Sequence, residues 1–255
     1  MAEPIIEMKD VSFSAQGERI VGKVSLRVEQ GKTVALAGPS GGGKSTALKL
    51  AAGILVPSGG NVFYRGKNID SMNRLQNLAF RREAAVVFQD SALWANQNLN
   101  QILELPLRVH FPDMGSGKRR ERIREAMELV GYRRDLEVRP AMLSMGEQKL
   151  IAFARAMLCC PELLFLDEWT ESLDDSAAQR LIGIVRRFKD EGKTIIFVSH
   201  NFPLIQRLAD CVIMIAKGQI VRRLEGGEIA GDQDLAEMSG RELGLCGSEY
   251  ALPIR

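Results

Sequence analysis

Nine residues, GPSGGGKST, satisfy the spacing Gly-x4-Gly-Lys-Ser and lie between a buried apolar run, TVALA, and a helical pattern, KSTALKLAAGIL. Glycines at such a junction let backbone N–H groups wrap a phosphate, a lysine reaches the outer phosphates, and a serine hydroxyl is offered to Mg²⁺. Gly38, Pro39, Ser40, Gly41, Gly42, Gly43, Lys44, Ser45 and Thr46 are therefore read together as a phosphate-binding loop. The alternative is a tight strand-to-helix turn without a ligand; lysine, serine and the flanking elements together weigh against it.

Three further strand ends carry polar groups suited to the same chemistry. ELLFLDE places Asp167 and Glu168 at the end of an apolar strand, where ligands bind in open α/β sheets. Asp167 is suited to hold Mg²⁺ through water and Glu168 to polarise an attacking water. Gln89 follows AAVVF, and its uncharged amide can touch both metal and water. His200 ends TIIFVSH and is one of only two histidines; at a strand end beside a phosphate site it can contact the terminal phosphate and the water. His110 has no such context and is assigned to a surface.

A fifth stretch, LSMGEQ, can be read in two ways. Ser144 followed by Glu147 is a capping box, in which each side chain satisfies a backbone N–H at a helix start. The same helix N-terminus, with Gly146 allowing close approach, is also an anion site.

Such groups need elements to hold them. Strand-like patterns run from residue 5 to about 37, through IIEMKDVSF, KVSLRVEQ and TVALAG, and GGNVFYRGKNI reads as a hairpin. From about Ser91 to Cys160 the pattern is helix after helix: LNQILELPLRVH, KRRERIREAMELVG and GEQKLIAFARAMLCC. Strands and helices then alternate through ELLFLDE, SAAQRLIGIVRRFKDEG, KTIIFVSH, FPLIQRLA and CVIMIA. Short buried strands alternating with helices imply an α/β fold with a mostly parallel sheet covered on both faces, and the helical block reads as an insertion. In KRRERIREAM, Ile123, Met127 and Val130 supply one apolar face, so the basic residues are read as a solvated face.

The bulk numbers exclude several classes. The 255 residues, 45% of them hydrophobic, are enough for a sizeable core; 34 basic against 32 acidic residues leave a net charge of +2, which implies no nucleic-acid partner. The apolar runs fall well short of the roughly 20 residues a spanning helix needs. MAEPIIEMKD lacks a basic segment leading into an apolar one, so no secretory signal is expected. Cys159, Cys160, Cys211 and Cys246 lie in or near apolar segments without a Cys-x-x-Cys pair and are read as reduced core thiols.

In order and spacing the chain resembles the ATP-binding cassette (ABC) ATPases, with GPSGGGKST as phosphate loop, VVFQD as glutamine loop, LSMGEQ as signature, LLFLDE as metal strand, ESLDD as D-loop and VSH as histidine switch. The resemblance implies one cassette domain over residues 1–255. Its P-loop NTPase core with an N-terminal antiparallel β subdomain would cover 1–90 and 161–225, an inserted α-helical subdomain 91–160, and a tail 226–255. It implies ATP and Mg²⁺ as cofactors. It also implies a head-to-tail dimer with a second copy or a similar chain, in which Ser144, Gly146 and Glu147 close over the nucleotide on the other chain's Lys44 and Asp174 crosses the interface. With no membrane span of its own, such a motor would be cytoplasmic and peripheral on the inner face of the cell membrane. It would dock on an integral membrane permease near residues 90–112, where Trp94, Leu99 and Ile102 are read as either core or interface.

The chain departs from the family pattern at four places. Met145 replaces the first signature glycine, which is expected to slow closure or turnover. Trp169 follows Glu168 where proline is usual, Ala15 stands at the adenine-stacking position with Phe13 as the substitute, and Glu147 replaces the signature glutamine. Within the family, FQDSALW followed by ILELPLRVH, and VSFSAQGER, look most similar to the Mla and Mce type phospholipid-transport ATPases. Two other readings remain: a soluble cassette protein driving assembly or scaffolding, and a slow regulatory ATP clamp.

Overall fold

A computed structural model describes residues 3–232. β1 (Pro4–Ala15) and β2 (Glu18–Glu29) pair antiparallel, and β1 also pairs antiparallel with β4 (Gly59–Tyr64), which turns into the short β5 (Lys67–Asn68). Their order is β2-β1-β4-β5. The alternation of buried and exposed residues along β2 is what a strand with one solvated face requires.

The second sheet is built from the short apolar runs. It contains β3 (Thr33–Ala37), β6 (Ala84–Val87), β7 (Leu163–Asp167), β8 (Thr194–Val198), β9 (Cys211–Ala216) and β10 (Gln219–Glu225), in the order β10-β9-β3-β8-β7-β6. All its pairings are parallel except β9 with β10. β3, β7 and β8 are buried at every position, as strands covered on both faces must be.

The helices are α1 (Lys44–Ala51), α2 (Arg74–Glu83), α3 (Leu99–His110), α4 (Ser116–Val130), α5 (Met145–Met157), α6 (Asp175–Asp190), α7 (Phe202–Leu208) and α8 (Gly227–Gly231). α3, α4 and α5 pack on one another and form the inserted helical unit. One core joins this unit to a face of the parallel sheet; a second lies between the other face, α1 and the antiparallel sheet. The loop after β3 and the ends of β6, β7 and β8 are thus held between two cores.

Several expectations are refined. α2 and β10 escape a periodicity reading because each buries a single residue, Phe80 and Leu224 respectively. Leu99 and Ile102 are fully buried core, whereas Trp94 is exposed. In α4, Ile123, Met127 and Val130 are buried as expected. His110 is not a simple surface residue: it is half-buried, burial lowers its pKa, and its Nδ1 is buried without a hydrogen-bond partner. Cys160 is exposed rather than core, Cys159 is half-buried with its thiol pushed up to about 11 by burial, and Cys211 is buried. Cys246 and the tail from residue 233 onward lie outside the described residues.

Candidate functional site

The loop after β3 is shaped by backbone demands that side chains cannot meet. Gly43, the N-cap of α1, has φ 98°, and a Cβ there would stand 2.8 Å from the Ile20 carbonyl of β2. With that approach made, the N–H groups opening α1 face a cavity of about 300 Å³, and its walls include Ser40 to Thr46 together with Gln89, Glu168 and His200. The residues brought in from the ends of β6, β7 and β8 are those the sequence placed there. Ile20 also lines this cavity and was not singled out; what places it there is the close approach of its carbonyl to Gly43, a contact between β2 and the loop that no local pattern signals. Gly38 and Pro39 sit at the base of the loop, where their carbonyls each accept a 2.8 Å hydrogen bond from Lys44 Nζ.

Asp167 is fully buried beneath the loop. Ser45 Oγ donates to its Oδ1 at 2.7 Å, while Oδ2 is buried without a hydrogen-bond partner and lies 4.0 Å from Lys49 Nζ. Burial raises the Asp167 pKa, with the Ser45 hydrogen bond and nearby lysines opposing. An orphaned carboxylate oxygen beside a serine hydroxyl, at the edge of a phosphate-sized cavity, fits a hard cation that takes its other ligands from phosphates and water. Among the described residues no group of three or more His, Cys, Asp or Glu is placed to hold a metal ion by itself.

Glu168 is 5% exposed and has φ 43°, the left-handed region that L side chains rarely adopt. Its N–H donates to Val198 O, and His200 Nε2 stands 2.9 Å from its Oε1, an ion-pair distance when the ring is protonated. The Gln89 amide donates to Glu171 Oε2 at 3.1 Å, so Gln89 lines the cavity while its side chain is engaged by the chain's own acid. Trp169 is fully buried against Phe153 of α5, with ring centroids 6.0 Å apart. The residue that replaces the usual proline therefore anchors the Glu168 turn in the helical core. Phe13 is half-buried on β1, packed against the second core, and does not line the cavity.

The signature residues sit elsewhere. Ser144 N-caps α5: its Oγ accepts from Glu147 N at 3.2 Å, its N donates to Glu147 Oε2 at 2.9 Å, and Glu147 Oε1 accepts from Arg134 at 2.8 Å. The Arg134 bond, with the backbone bond to Ser144, lowers the Glu147 pKa. Gly146 packs on the D-loop so closely that a Cβ would lie 2.8 Å from Ser172 O. Asp174 caps α6, accepting from Ala177 N. None of these four lines the cavity at Lys44.

One chain thus presents a phosphate cradle at one place and a capped helix N-terminus at another. The model of the ABC transporter family matches residues 21–171. The chain belongs to that family. Relatives within it include the nickel import ATP-binding protein NikE of Escherichia coli O157:H7, 35% identical over 217 residues, covering 84% of this chain and 81% of that protein. The NikE protein of Brucella abortus (strain 2308) is 35% identical over 210 residues, covering 81% and 79%. The dimeric structure of a bacterial ABC transporter cassette superposes with a TM-score of 0.79 at 25% identity, over 86% of this chain and 98% of that one. The chain is accordingly an ABC transporter ATP-binding subunit and an ATPase, in a family whose cassettes dimerise and work with a membrane permease. The narrower phospholipid-transport expectation does not follow from these relatives, whose names specify nickel import. No helix among the described residues is long and apolar enough to cross a membrane.

Proposed function

We propose that two copies of this chain, or one copy and a similar chain, close head to tail around Mg²⁺-ATP and that its hydrolysis drives a separate permease from the cytoplasmic face. The observation that carries the reading is the separation of the capped α5 N-terminus from the cavity at Lys44, which leaves each half-site to be completed by another chain. In each composite site Lys44 and the N–H groups of residues 40–46 bind the β- and γ-phosphates. Ser45 and Asp167, assisted by Gln89, would hold Mg²⁺, which supplies charge neutralisation on those phosphates. Glu168 orients a water for in-line attack on the γ-phosphorus; the bond to the bridging oxygen breaks and ADP leaves with the electron pair. His200, 2.9 Å from Glu168, fixes that carboxylate and reaches toward the γ-phosphate. Ser144 and Gly146 of the facing chain supply the last donors, with Glu147 holding Ser144 in place and Asp174 standing next to the D-loop that meets them.

The permease contact is assigned to residues 90–112. Within it Trp94 is 45% and Val109 47% exposed, and Arg155 of α5 lies over the Trp94 ring at 5.7 Å while donating to the Ala92 and Ser91 carbonyls. An exposed aromatic packed against a half-buried, hydrogen-bonded guanidinium suits a docking anchor. On cargo, the segment FQDSALW with ILELPLRVH supports a phospholipid, and the names of the NikE relatives support nickel as the second reading.

Glu168→Gln should reduce Mg²⁺-dependent ATP turnover to a small but measurable residual rate while ATP binding and ATP-dependent dimerisation persist; unchanged turnover refutes the catalytic assignment. Co-isolation from native membranes with a polytopic permease, followed by lipid and nickel analysis of the complex, separates the two cargoes. Recovery with soluble partners alone supports a scaffolding cassette instead.

A further inference from the structure

Lys149 is a buried cation that the reaction scheme above does not use. It lies one turn into α5 and is only 3% exposed, in a stretch of the helix buried at every position from Lys149 to Ala154. Taking an ammonium out of water costs several kcal/mol unless its donors and charge are matched. The match is specific. Lys149 Nζ donates to the backbone carbonyl of Gln89 at 2.6 Å and to that of Glu168 at 3.2 Å. Those two residues are the proposed metal- and water-contacting amide and the proposed catalytic carboxylate.

The two contacts belong to a closed ring. Gln89 Nε2 donates to Glu171 Oε2 at 3.1 Å, Glu171 N donates to Glu168 O at 3.3 Å, and Lys149 joins Glu168 O back to Gln89 O. Three segments distant in sequence therefore share one hub: the glutamine loop, the turn after β7 and the signature helix. A hydroxyl could serve only one carbonyl, and a neutral amide brings no charge. The ammonium serves two; burial lowers its pKa, and the acids around it, Glu171, Asp167, Asp90 and Glu168, oppose that shift. Glu168, held at φ 43°, is the member of the ring whose backbone most needs an external tie.

We infer that Lys149 is a positioning residue that fixes the Glu168 carboxylate relative to Gln89, so that a displacement of the glutamine loop is felt at the catalytic acid. The inference rests on the hydrolytic reading of Glu168 given above. Lys149 touches no reacting atom; it acts through the two carbonyls.

The test uses the full chain, with ATP as probe. Lys149→Met is expected to lower kcat by between about 10- and 100-fold, the range a small misplacement of a reacting group produces, with KM for ATP within about twofold of the parent. Lys149→Arg, which retains charge and several N–H donors, should recover most of that loss, and Lys149→Gln, which keeps N–H donors on a shorter, uncharged side chain, should fall between. In a Glu168→Gln background, Lys149→Met should lower the residual turnover less than twofold, because the group it positions is already gone. If Lys149→Met fails to fold, Lys149→Gln and Lys149→Arg carry the same comparison. The inference is overturned if the neutral variants keep kcat within twofold of the parent, or if they lose the same factor with and without the Glu168 carboxylate. Turnover by the parent chain that is indifferent to Glu168→Gln instead overturns the hydrolytic reading itself, so the two failures are distinguishable.

Discussion

Substituting Ser144 separates its two proposed duties, because one is local to the monomer and the other exists only in the dimer. In the monomer, alanine loses the 3.2 Å bond from Glu147 N, and the reciprocal half of the box, Ser144 N to Glu147 Oε2, remains. The loss of one N-cap acceptor costs about 1 kcal/mol. For a chain of this size that lowers Tm by roughly 2–4 °C. In the dimer, the same substitution removes a hydroxyl donor to a phosphate, a charge-assisted bond worth about 1.5–3 kcal/mol, or on the order of 10- to 100-fold in ATP-dependent association. Ser144→Asp splits the effects further. Aspartate caps as well as serine, so Tm should stay within about 1 °C of the parent, yet its carboxylate would face the partner's γ-phosphate and should abolish association. The assay is paired: thermal unfolding without nucleotide, and light scattering after size exclusion with ATP in a Glu168→Gln background. Intact ATP-dependent dimers of Ser144→Asp would refute the phosphate duty, and an alanine variant weakened in association only as much as in stability would reduce Ser144 to a cap.

Three further outcomes follow from burial and close approach. Met145→Gly should raise turnover while lowering stability by at most about 1 kcal/mol, since the side chain is 69% exposed and only helix propensity is lost; Gly146→Ala should cost more, about 1–3 kcal/mol, because the new Cβ meets Ser172 O at 2.8 Å, and unfolding curves for the two variants decide this. Asp167→Asn should stabilise the nucleotide-free chain at neutral pH while lowering Mg²⁺-dependent turnover on the order of 10²-fold or more. The sign comes from burial: a carboxyl whose native pKa is raised binds more protons folded than unfolded, so its penalty is full above the native pKa and fades as pH falls through it. The Tm advantage of the Asp167→Asn variant should therefore shrink on acidification, and an advantage that grows instead would contradict the burial argument.

The parts of the molecule that sequence alone made legible are those where one local rule suffices. Short buried apolar runs became β3, β7 and β8, the helical pattern from Leu99 became α3, and the capping box at Ser144 begins α5 as its spacing required. α2 and β10 were not legible because their amphipathic signal is one buried side chain each. In the site, the motif spacing located Lys44, Ser45, Asp167, Glu168 and His200, since each lies at a strand end or helix start. Phe13, expected as the adenine-stacking residue, packs on the second core and does not line the phosphate cavity, which Ile20 borders through a contact between β2 and Gly43 that no local pattern announces. Lys149 was invisible for a different reason: its partners are backbone carbonyls, which leave no trace in side-chain identity.

The signature LSMGEQ shows how monomer and dimer constraints divide within adjacent residues. Position 146 needs glycine in the single chain, because the D-loop carbonyl of Ser172 occupies the space a side chain would take. Position 145 has no such requirement: its backbone is helical, its side chain projects into solvent, and the capping box on either side of it is complete without it. Methionine there costs the monomer nothing, so whatever it costs falls entirely on closure with the facing chain. A fold measurement on the monomer should therefore register only the helix propensity of residue 145, about 1 kcal/mol at most for glycine, and only the rate at which the composite site closes should report what its side chain obstructs.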